Sequence, residues 1–137
     1  MTTTLLLDTH IFLWLMLKDE NLSTSELNII DQAAQKNALF VSAISIWEIA
    51  LLQKRGRIHL YQQPLKWVEE ALALPGINLA PLDPAILCES VALPEELRKD
   101  PADRMIIATA RIMKLRLMTH DQKILDYAAQ GLLDCVS

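Results

Sequence analysis

Short apolar runs alternate along the whole chain with longer segments of helical periodicity. The runs with the length and apolar character of buried strands are 4–7, 39–41, 78–82 and 115–119, and 132–136 is a candidate last edge strand. The segments with helical periodicity are 11–18, 23–36, 44–55, 64–74, 84–92, 100–114 and 122–129. Strands that alternate with helices in this way predict βαβ units around a parallel sheet. We therefore expect an α/β fold.

Helix boundaries are marked by capping residues. Ser23 and Glu26 have the spacing of a capping box, in which each side chain bonds the backbone N–H of the other residue. Pro64 and Pro101 suit first helical turns, because proline lacks the N–H that a first turn leaves unpaired. Gly56 suits the end of the helix over 44–55. The predicted helices therefore rest on these capping signals as well as on hydrophobic periodicity.

Composition excludes several classes of protein. The 137 residues are 52% hydrophobic, which excludes a disordered chain and fits one domain over 1–137. Two cysteines without CxxC spacing indicate neither a zinc ribbon nor a disulfide scaffold, and we expect buried or half-buried thiols. Three dispersed glycines exclude a GxGxxG, Walker A or GxSxG motif, and three dispersed histidines form no HExxH pair.

The ends and the charge of the chain add weaker constraints. No apolar run reaches the length needed to span a membrane, and the first residues have no basic region typical of a secretory signal. We expect a soluble cytoplasmic protein. The 13 Lys+Arg against 17 Asp+Glu give a net charge of −4, which argues against a protein that holds nucleic acid by bulk positive charge.

Two acids stand where an apolar strand gives way to a helix. Asp8 follows the strand over 4–7, and Asp121 follows the strand over 115–119. Each has a structural explanation as the N-cap of the next helix. Each also lies at the carboxyl end of a parallel strand, where open α/β sheets bind ligands. The residues taken one at a time leave both alternatives open.

Two further acids lie on predicted apolar helix faces. Glu48 is flanked at helical spacing by aliphatic residues, and its structural alternative is a capping box with Ser45. Asp103 shares a face with aliphatic residues in the next turn, and its alternative is an acid stabilised by the helix dipole. Asp100 is the better N-cap of that helix, since Pro101 follows it.

Considered together, the four acids indicate a cation site. A parallel sheet places Asp8, Glu48, Asp103 and Asp121 near one edge, where their charges would repel one another. A hard divalent cation relieves that repulsion, and oxygen ligands without Cys or His suit Mg²⁺ or Mn²⁺. Such a site favours phosphoryl transfer or phosphodiester hydrolysis, because the ion activates water and neutralises phosphate charge.

Basic, aromatic and histidine residues allow two interpretations each. The basic groups are Lys54, Arg55 and Arg57, and Arg111, Lys114 and Arg116. Each group could contact an RNA backbone or form a solvated helix end. For Trp14, Trp47 and Trp67 we favour core or subunit-interface packing over base stacking. For His10 and His120 we favour local hydrogen bonding or packing over general-base catalysis.

Four segments resemble, in order, the motifs of the PIN-domain nucleases, and most closely the VapC-type toxins of bacterial toxin–antitoxin pairs. The segments are Leu5-Leu6-Leu7-Asp8-Thr9-His10, Ser42-Ala43-Ile44-Ser45-Ile46-Trp47-Glu48-Ile49, Asp100-Pro101-Ala102-Asp103-Arg104 and Thr119-His120-Asp121. The likeness covers nearly the whole chain. It implies a three-layer α/β/α domain with a central, mainly parallel sheet.

The resemblance also implies an activity and a set of roles. It implies a Mg²⁺-dependent endoribonuclease in which Asp8, Glu48, Asp103 and Asp121 match the acidic quartet. By the same match Asp8 and Asp103 bind the metal directly, while Glu48 binds a second ion or orients the attacking water. The residues that match supporting positions are Thr9, Ser42, Thr119 and Arg104, and Arg104 could also be a phosphate contact or solvated. The family usually forms homodimers and is silenced by a small antitoxin protein.

Two rival functions come from other classes. A catalytically inactive PIN-like module would act by binding within a complex, and loss of a quartet acid would favour it. An aspartyl-phosphate phosphatase would have a second aspartate two residues after the first, where this chain has His10. Since all four acids are present, we favour the nuclease.

The quartet also explains the net charge. Without those four acids the chain has 13 acids and 13 bases, so the negative excess equals the predicted cation site. We therefore expect metal binding to precede RNA binding.

Overall fold

A computed structural model describes residues 4–97 and 100–137. The strands are β1 Leu5–Leu7, β2 Leu39–Ser42, β3 Ile77–Ala80, β4 Arg116–Met118 and β5 Cys135–Val136. The helices are α1 Thr9–Leu17, α2 Thr24–Gln35, α3 Ala43–Lys54, α4 Pro64–Leu72, α5 Pro84–Ala92, α6 Pro101–Met113 and α7 Gln122–Ala129. No helix in the described ranges is both long enough and apolar enough to cross a membrane.

The five strands form one sheet in the order β3-β2-β1-β4-β5, and every pair is parallel. The chain adds β2 and β3 on one side of β1 and then returns to add β4 and β5 on the other side. The order therefore reverses between β1 and β4. In open α/β sheets ligands bind at the carboxyl ends of the strands beside such a reversal. That crevice follows directly after Leu7 and Met118.

The three leucines of β1 explain how the sheet is covered on both faces. Successive side chains of a strand point to opposite faces. Leu5 and Leu7 join the core with Phe12 of α1 and Trp67 of α4. Leu6 joins the other core with residues of α6 and α7. A strand buried on both faces is a continuous apolar run rather than an alternating one. Because helices cover both faces of the sheet, the predicted α/β/α architecture is confirmed.

Most differences from the predicted boundaries have local causes. Helix α1 begins at Thr9 rather than at residue 11, because Asp8 caps it immediately after the strand. Strand β3 ends at Ala80 rather than at residue 82, since Pro81 has no N–H for the ladder. Strand β4 covers only Arg116–Met118, because the backbone N–H of Leu115 bonds the end of α6 instead. The last strand is confined to Cys135–Val136.

The cysteines partly contradict expectation. Cys88 is exposed, so the prediction of a buried or half-buried thiol is wrong for it, while Cys135 is half-buried. Burial, with smaller effects from the charges of Asp134 and Asp8, raises the pKa of Cys135 to about 12. Its thiol is therefore protonated and a poor nucleophile at neutral pH.

Candidate active site

Asp8 lies at the carboxyl end of β1 and caps α1. Its Oδ1 accepts a hydrogen bond from the backbone N–H of Thr9 at 2.8 Å. Its Oδ2 accepts one from the hydroxyl of Thr119 at 2.7 Å, across 111 residues of sequence. The capping role and the site role are thus compatible, because each oxygen has a different donor. The carboxylate is buried and fixed in one orientation.

Thr9 connects Asp8 to the helix that carries Glu48. The hydroxyl of Thr9 donates to Oε1 of Glu48 at 2.5 Å. It also lies 2.8 Å from the hydroxyl of Ser45. Because the single hydroxyl hydrogen of Thr9 goes to the carboxylate, Ser45 is the donor in that second bond. Thr9 and Ser45 are both buried.

The structure overturns the capping-box alternative for Glu48. A capping box with Glu48 would need Ser45 as the N-cap of α3. The N-cap is instead Ser42, whose hydroxyl accepts from the backbone N–H of Ile44 at 3.2 Å. Ser45 is therefore inside the helix and faces Thr9. Glu48, three residues later, lies on the same face of the helix.

Three carboxylates form a compact cluster where α3 meets the start of α6. One oxygen each of Glu48, Asp100 and Asp103 lie within 4.8 Å of one another. Asp100 was expected only as an N-cap. It does cap α6, with its Oδ1 2.8 Å from the backbone nitrogen of Ala102. Its place in the cluster could have been found from its position three residues before Asp103, which puts both acids near one face.

Glu48 is half-buried and lies among like charges. Burial raises the pKa of Glu48, and the negative charges of Asp103, Asp8 and Asp100 raise it further. The hydrogen bond from Thr9 acts in the opposite direction but does not compensate. A half-buried carboxylate among like charges is destabilised in its ionised form. A bound cation would remove that cost.

Asp121 lies at the other end of the same network. Its Oδ1 caps α7 by accepting from the backbone of Lys123 and Ile124. Its own backbone N–H donates to the hydroxyl of Thr119 at 3.0 Å, and that hydroxyl in turn donates to Asp8. The Asp121 backbone thus helps to hold Asp8 in place. The three-carboxylate cluster is formed by α3 and α6, not by Asp121.

Arg104 is hydrogen-bonded to the backbone at the end of α5. Its guanidinium donates to backbone carbonyl oxygens at the end of α5, including those of Ser90 and Pro94 at 2.9 Å each. The carbonyls of Val91 and Leu93 accept from the same side chain. Arg104 therefore joins the first turn of α6, which carries Asp103, to the end of α5.

The other candidates are placed as follows. Nε2 of His120 lies 2.6 Å from Oε2 of the buried Glu26, so His120 has the hydrogen bonding that we favoured for it. Trp67 is in the core, as one of the two expected kinds of packing. Trp47 is 58% exposed, so it is not a core residue, and packing at a subunit interface stays a prediction for it. Arg111 pairs with Glu89 at 2.7 Å, so it has a structural role.

Comparison with known proteins identifies the family. The model of the PIN domain family matches residues 5–130. This chain belongs to the PIN domain family. It is 34% identical over 122 residues to Ribonuclease VapC22 of Mycobacterium tuberculosis, an alignment that covers 89% of this chain and 90% of that protein.

Solved structures share this fold over nearly all of the chain. The fold is similar to VapBC2 from Rickettsia felis bound to a promoter DNA fragment, with a TM-score of 0.69, 17% identity and 97% of each chain covered. A toxin–antitoxin complex from Klebsiella pneumoniae gives a TM-score of 0.65 and 23% identity, with 98% of this chain and 97% of that one covered. FitAcB from Neisseria gonorrhoeae gives a TM-score of 0.63 and 20% identity, with 98% of this chain and 97% of that one covered. The predicted PIN resemblance and fold class are confirmed.

Proposed function

We propose that this PIN domain, over 1–137, is a Mg²⁺-dependent endoribonuclease toxin of the cytoplasm, neutralised by a small antitoxin protein. The observation that carries the proposal is the cluster of Glu48, Asp100 and Asp103, held beside Asp8 at the sheet edge where ligands bind. The relationship to a protein named as a ribonuclease supports RNA as the substrate.

The donor set fits a hard divalent cation. The cluster consists of carboxylates, with no Cys or His among its members. Burial raises the pKa of Glu48, and the charges of Asp103, Asp8 and Asp100 add to that effect. Mg²⁺ and Mn²⁺ prefer such oxygen ligands. Asp103 and Asp8 are the proposed direct ligands, with Glu48 and Asp100 beside them and Asp121 as the fourth member of the predicted quartet. When bound, the ion supplies activation of the attacking water and neutralisation of phosphate charge.

The chain's own hydroxyl groups orient the carboxylates for this task. Oε1 of Glu48 is occupied by the hydroxyl of Thr9, which leaves Oε2 to accept a hydrogen bond from the attacking water. The Thr9 backbone N–H and the Thr119 hydroxyl each donate to one oxygen of Asp8, and so fix the orientation of its carboxylate. Ser42 fixes the start of α3. Such preorganisation reduces the reorganisation needed when the phosphate reacts.

The proposed partners rest on the structural neighbours. One of the similar structures is described as a toxin–antitoxin complex, and another as VapBC2 bound to a DNA fragment from its promoter. By this likeness we propose a small antitoxin that covers the acidic site, and a homodimer of this chain as the active form.

Cleavage assays with purified protein test the proposal. A panel of RNAs is incubated with Mg²⁺, with Mn²⁺ or with EDTA, and the products are resolved on denaturing gels. We expect internal cleavage that EDTA abolishes. Asp8→Asn and Asp103→Asn should each abolish cleavage while circular dichroism shows the fold retained. Asp126→Asn, at an exposed position of α7, is the matched control and should cleave normally.

Two results would contradict the proposal. Full cleavage by Asp8→Asn or Asp103→Asn would contradict the assignment of the active site. The absence of cleavage of any RNA, together with normal growth of cells that express the protein, would instead support an inactive binding module.

A further inference from the structure

An open groove adjoins the acidic cluster on the side of α3. It encloses about 660 Å³ between α3, the start of α6 and the segment before α5. Glu48 and Asp100 line one part of it, so the groove is continuous with the proposed metal site. We call it the Trp47 groove. A substrate whose phosphate reaches the cluster from this side must lie along it.

The apolar part of the groove is formed by large side chains. Trp47, Leu51, Leu82 and Met105 all line it. Trp47 is 58% exposed, whereas Trp67 of the core is 9% exposed. The indole directly before Glu48 is therefore largely accessible from the groove. Its flat face is suited to stack against a planar group.

Two arginines line the same groove. Arg55 and Arg57 are exposed, and neither has a salt bridge within residues 4–97 and 100–137. Arg55 follows Glu48 by seven residues, or two turns, which places it roughly 10 Å along the same helix face. The groove thus contains the carboxylates of Glu48 and Asp100, the indole of Trp47, and the guanidinium groups of Arg55 and Arg57.

We propose that the Trp47 groove binds single-stranded RNA beside the phosphate that is cleaved. A base stacks on the indole of Trp47, and Arg55 and Arg57 bind backbone phosphates. Aromatic surfaces combined with cations are the chemistry of single-strand binding sites, because every base has a stacking face and every nucleotide a negative charge. The chain has a net charge of −4, so these arginines supply local positive charge that attracts the RNA polyanion to the groove. This inference rests on the proposed ribonuclease function.

Binding measurements separate the contributions of the indole and the arginines. The Asp103→Asn protein, which should not cleave, is titrated in Mg²⁺ against a fluorescently labelled single-stranded RNA at several NaCl concentrations. Trp47→Ala in that protein should raise Kd about 5- to 150-fold, and Trp47→Phe should retain most of the affinity. Arg55→Ala with Arg57→Ala should reduce the slope of log K against log salt by about 1.4, since each phosphate contact contributes about 0.7.

Matched controls lie close by. Lys66→Ala removes an exposed charge from α4 outside the groove lining, and Tyr61→Ala removes an aromatic ring that is 88% exposed. Both should leave Kd and its salt slope unchanged. In the cleaving enzyme, the groove substitutions should raise KM more than they lower kcat. Thermal unfolding checks that each variant is folded.

The outcomes distinguish this inference from the proposed function. If the wild-type protein cleaves RNA but Kd, the salt slope and KM are unchanged in the groove variants, the groove inference alone is overturned. It is also overturned if Trp47→Ala leaves RNA binding intact but converts a dimer to a monomer by light scattering, which would make the groove a contact between two copies. If the wild-type protein cleaves no RNA, both proposals fail.

Discussion

The hydroxyl oxygen of Thr9 lies 2.5 Å from Oε1 of Glu48 and joins the first turn of α1 to the second turn of α3. Through its backbone N–H the same residue also holds Asp8. One buried threonine therefore orients two carboxylates that belong to motifs 40 residues apart in the sequence.

Thr9→Val should impair cleavage much more than Thr9→Ser. Valine keeps the shape of the side chain but leaves Ser45 and Glu48 without their bonding partner, at a cost to stability of about 1–3 kcal/mol. We expect kcat to fall about tenfold or more, because Glu48 is no longer held in place. Serine restores the hydroxyl and most of the activity. Equal kcat for the two variants, measured at saturating RNA, would show that the hydrogen bond has no role in cleavage.

Mg²⁺ binding should weaken as the pH falls through the raised pKa of Glu48. Burial and the neighbouring aspartates raise this pKa, so the folded metal-free protein binds the proton more tightly than the unfolded chain does. The contribution of Glu48 to metal-free stability is therefore complete below the ordinary carboxyl pKa and is lost as the pH rises through the raised pKa. At neutral pH, Glu48→Gln should raise the melting temperature of the metal-free protein by a few degrees.

The same Glu48→Gln variant should gain less stability from Mg²⁺ than the wild-type protein does. Melting temperatures are measured at pH 5 to 8 with Mg²⁺ and with EDTA. A melting temperature of the EDTA-treated variant below that of the wild-type protein would contradict the view that Glu48 is destabilised by its neighbours. Asp126→Asn controls for the loss of one exposed charge.

Asp100 has two roles that two substitutions can separate. Asparagine is as good an N-cap as aspartate but carries no charge. Asp100→Asn should therefore keep the stability of α6 while it weakens Mg²⁺ binding measured by calorimetry. Asp100→Ala should also lose about 1 kcal/mol of stability, because the backbone N–H of Ala102 loses its acceptor. If Asp100→Asn binds Mg²⁺ as tightly as the wild-type protein, Asp100 acts as a cap alone.

Arg104→Lys should destabilise the fold rather than weaken RNA binding directly. The planar guanidinium bonds the carbonyls of Ser90 and Pro94 together with two others, a geometry that a lysine ammonium cannot reproduce. We expect a loss of about 1–3 kcal/mol in urea unfolding. Below the unfolding transition the salt dependence of RNA binding should be unchanged. A reduced salt slope in Arg104→Lys would instead identify Arg104 as a phosphate contact.

Much of the fold was predictable because the relevant signals are local. The apolar run over 4–7 predicted a buried strand, which the structure has as Leu5–Leu7, and Ser23 with Glu26 forms the expected capping box. Asp8 and Asp121 were expected either as caps or as site residues, and the structure shows that each is a cap. Asp8 also lies beside the acidic cluster, where its charge raises the pKa of Glu48. Local pattern could not separate the two roles, because a cap at the end of a parallel strand occupies the position where ligands bind.

The sequence by itself determined the elements, their order, and four acids at positions that a parallel sheet brings to one side. Only the tertiary structure decided that Asp100 joins Glu48, that Ser45 bonds Thr9, and that Arg104 faces the end of α5. The first kind of information is carried by periodicity and capping within a few residues. The second depends on how α1, α3 and α6 pack after the order of strands has brought them together. Helical spacing shows which side chains share a face, but the partner of that face is fixed by contacts between segments distant in sequence.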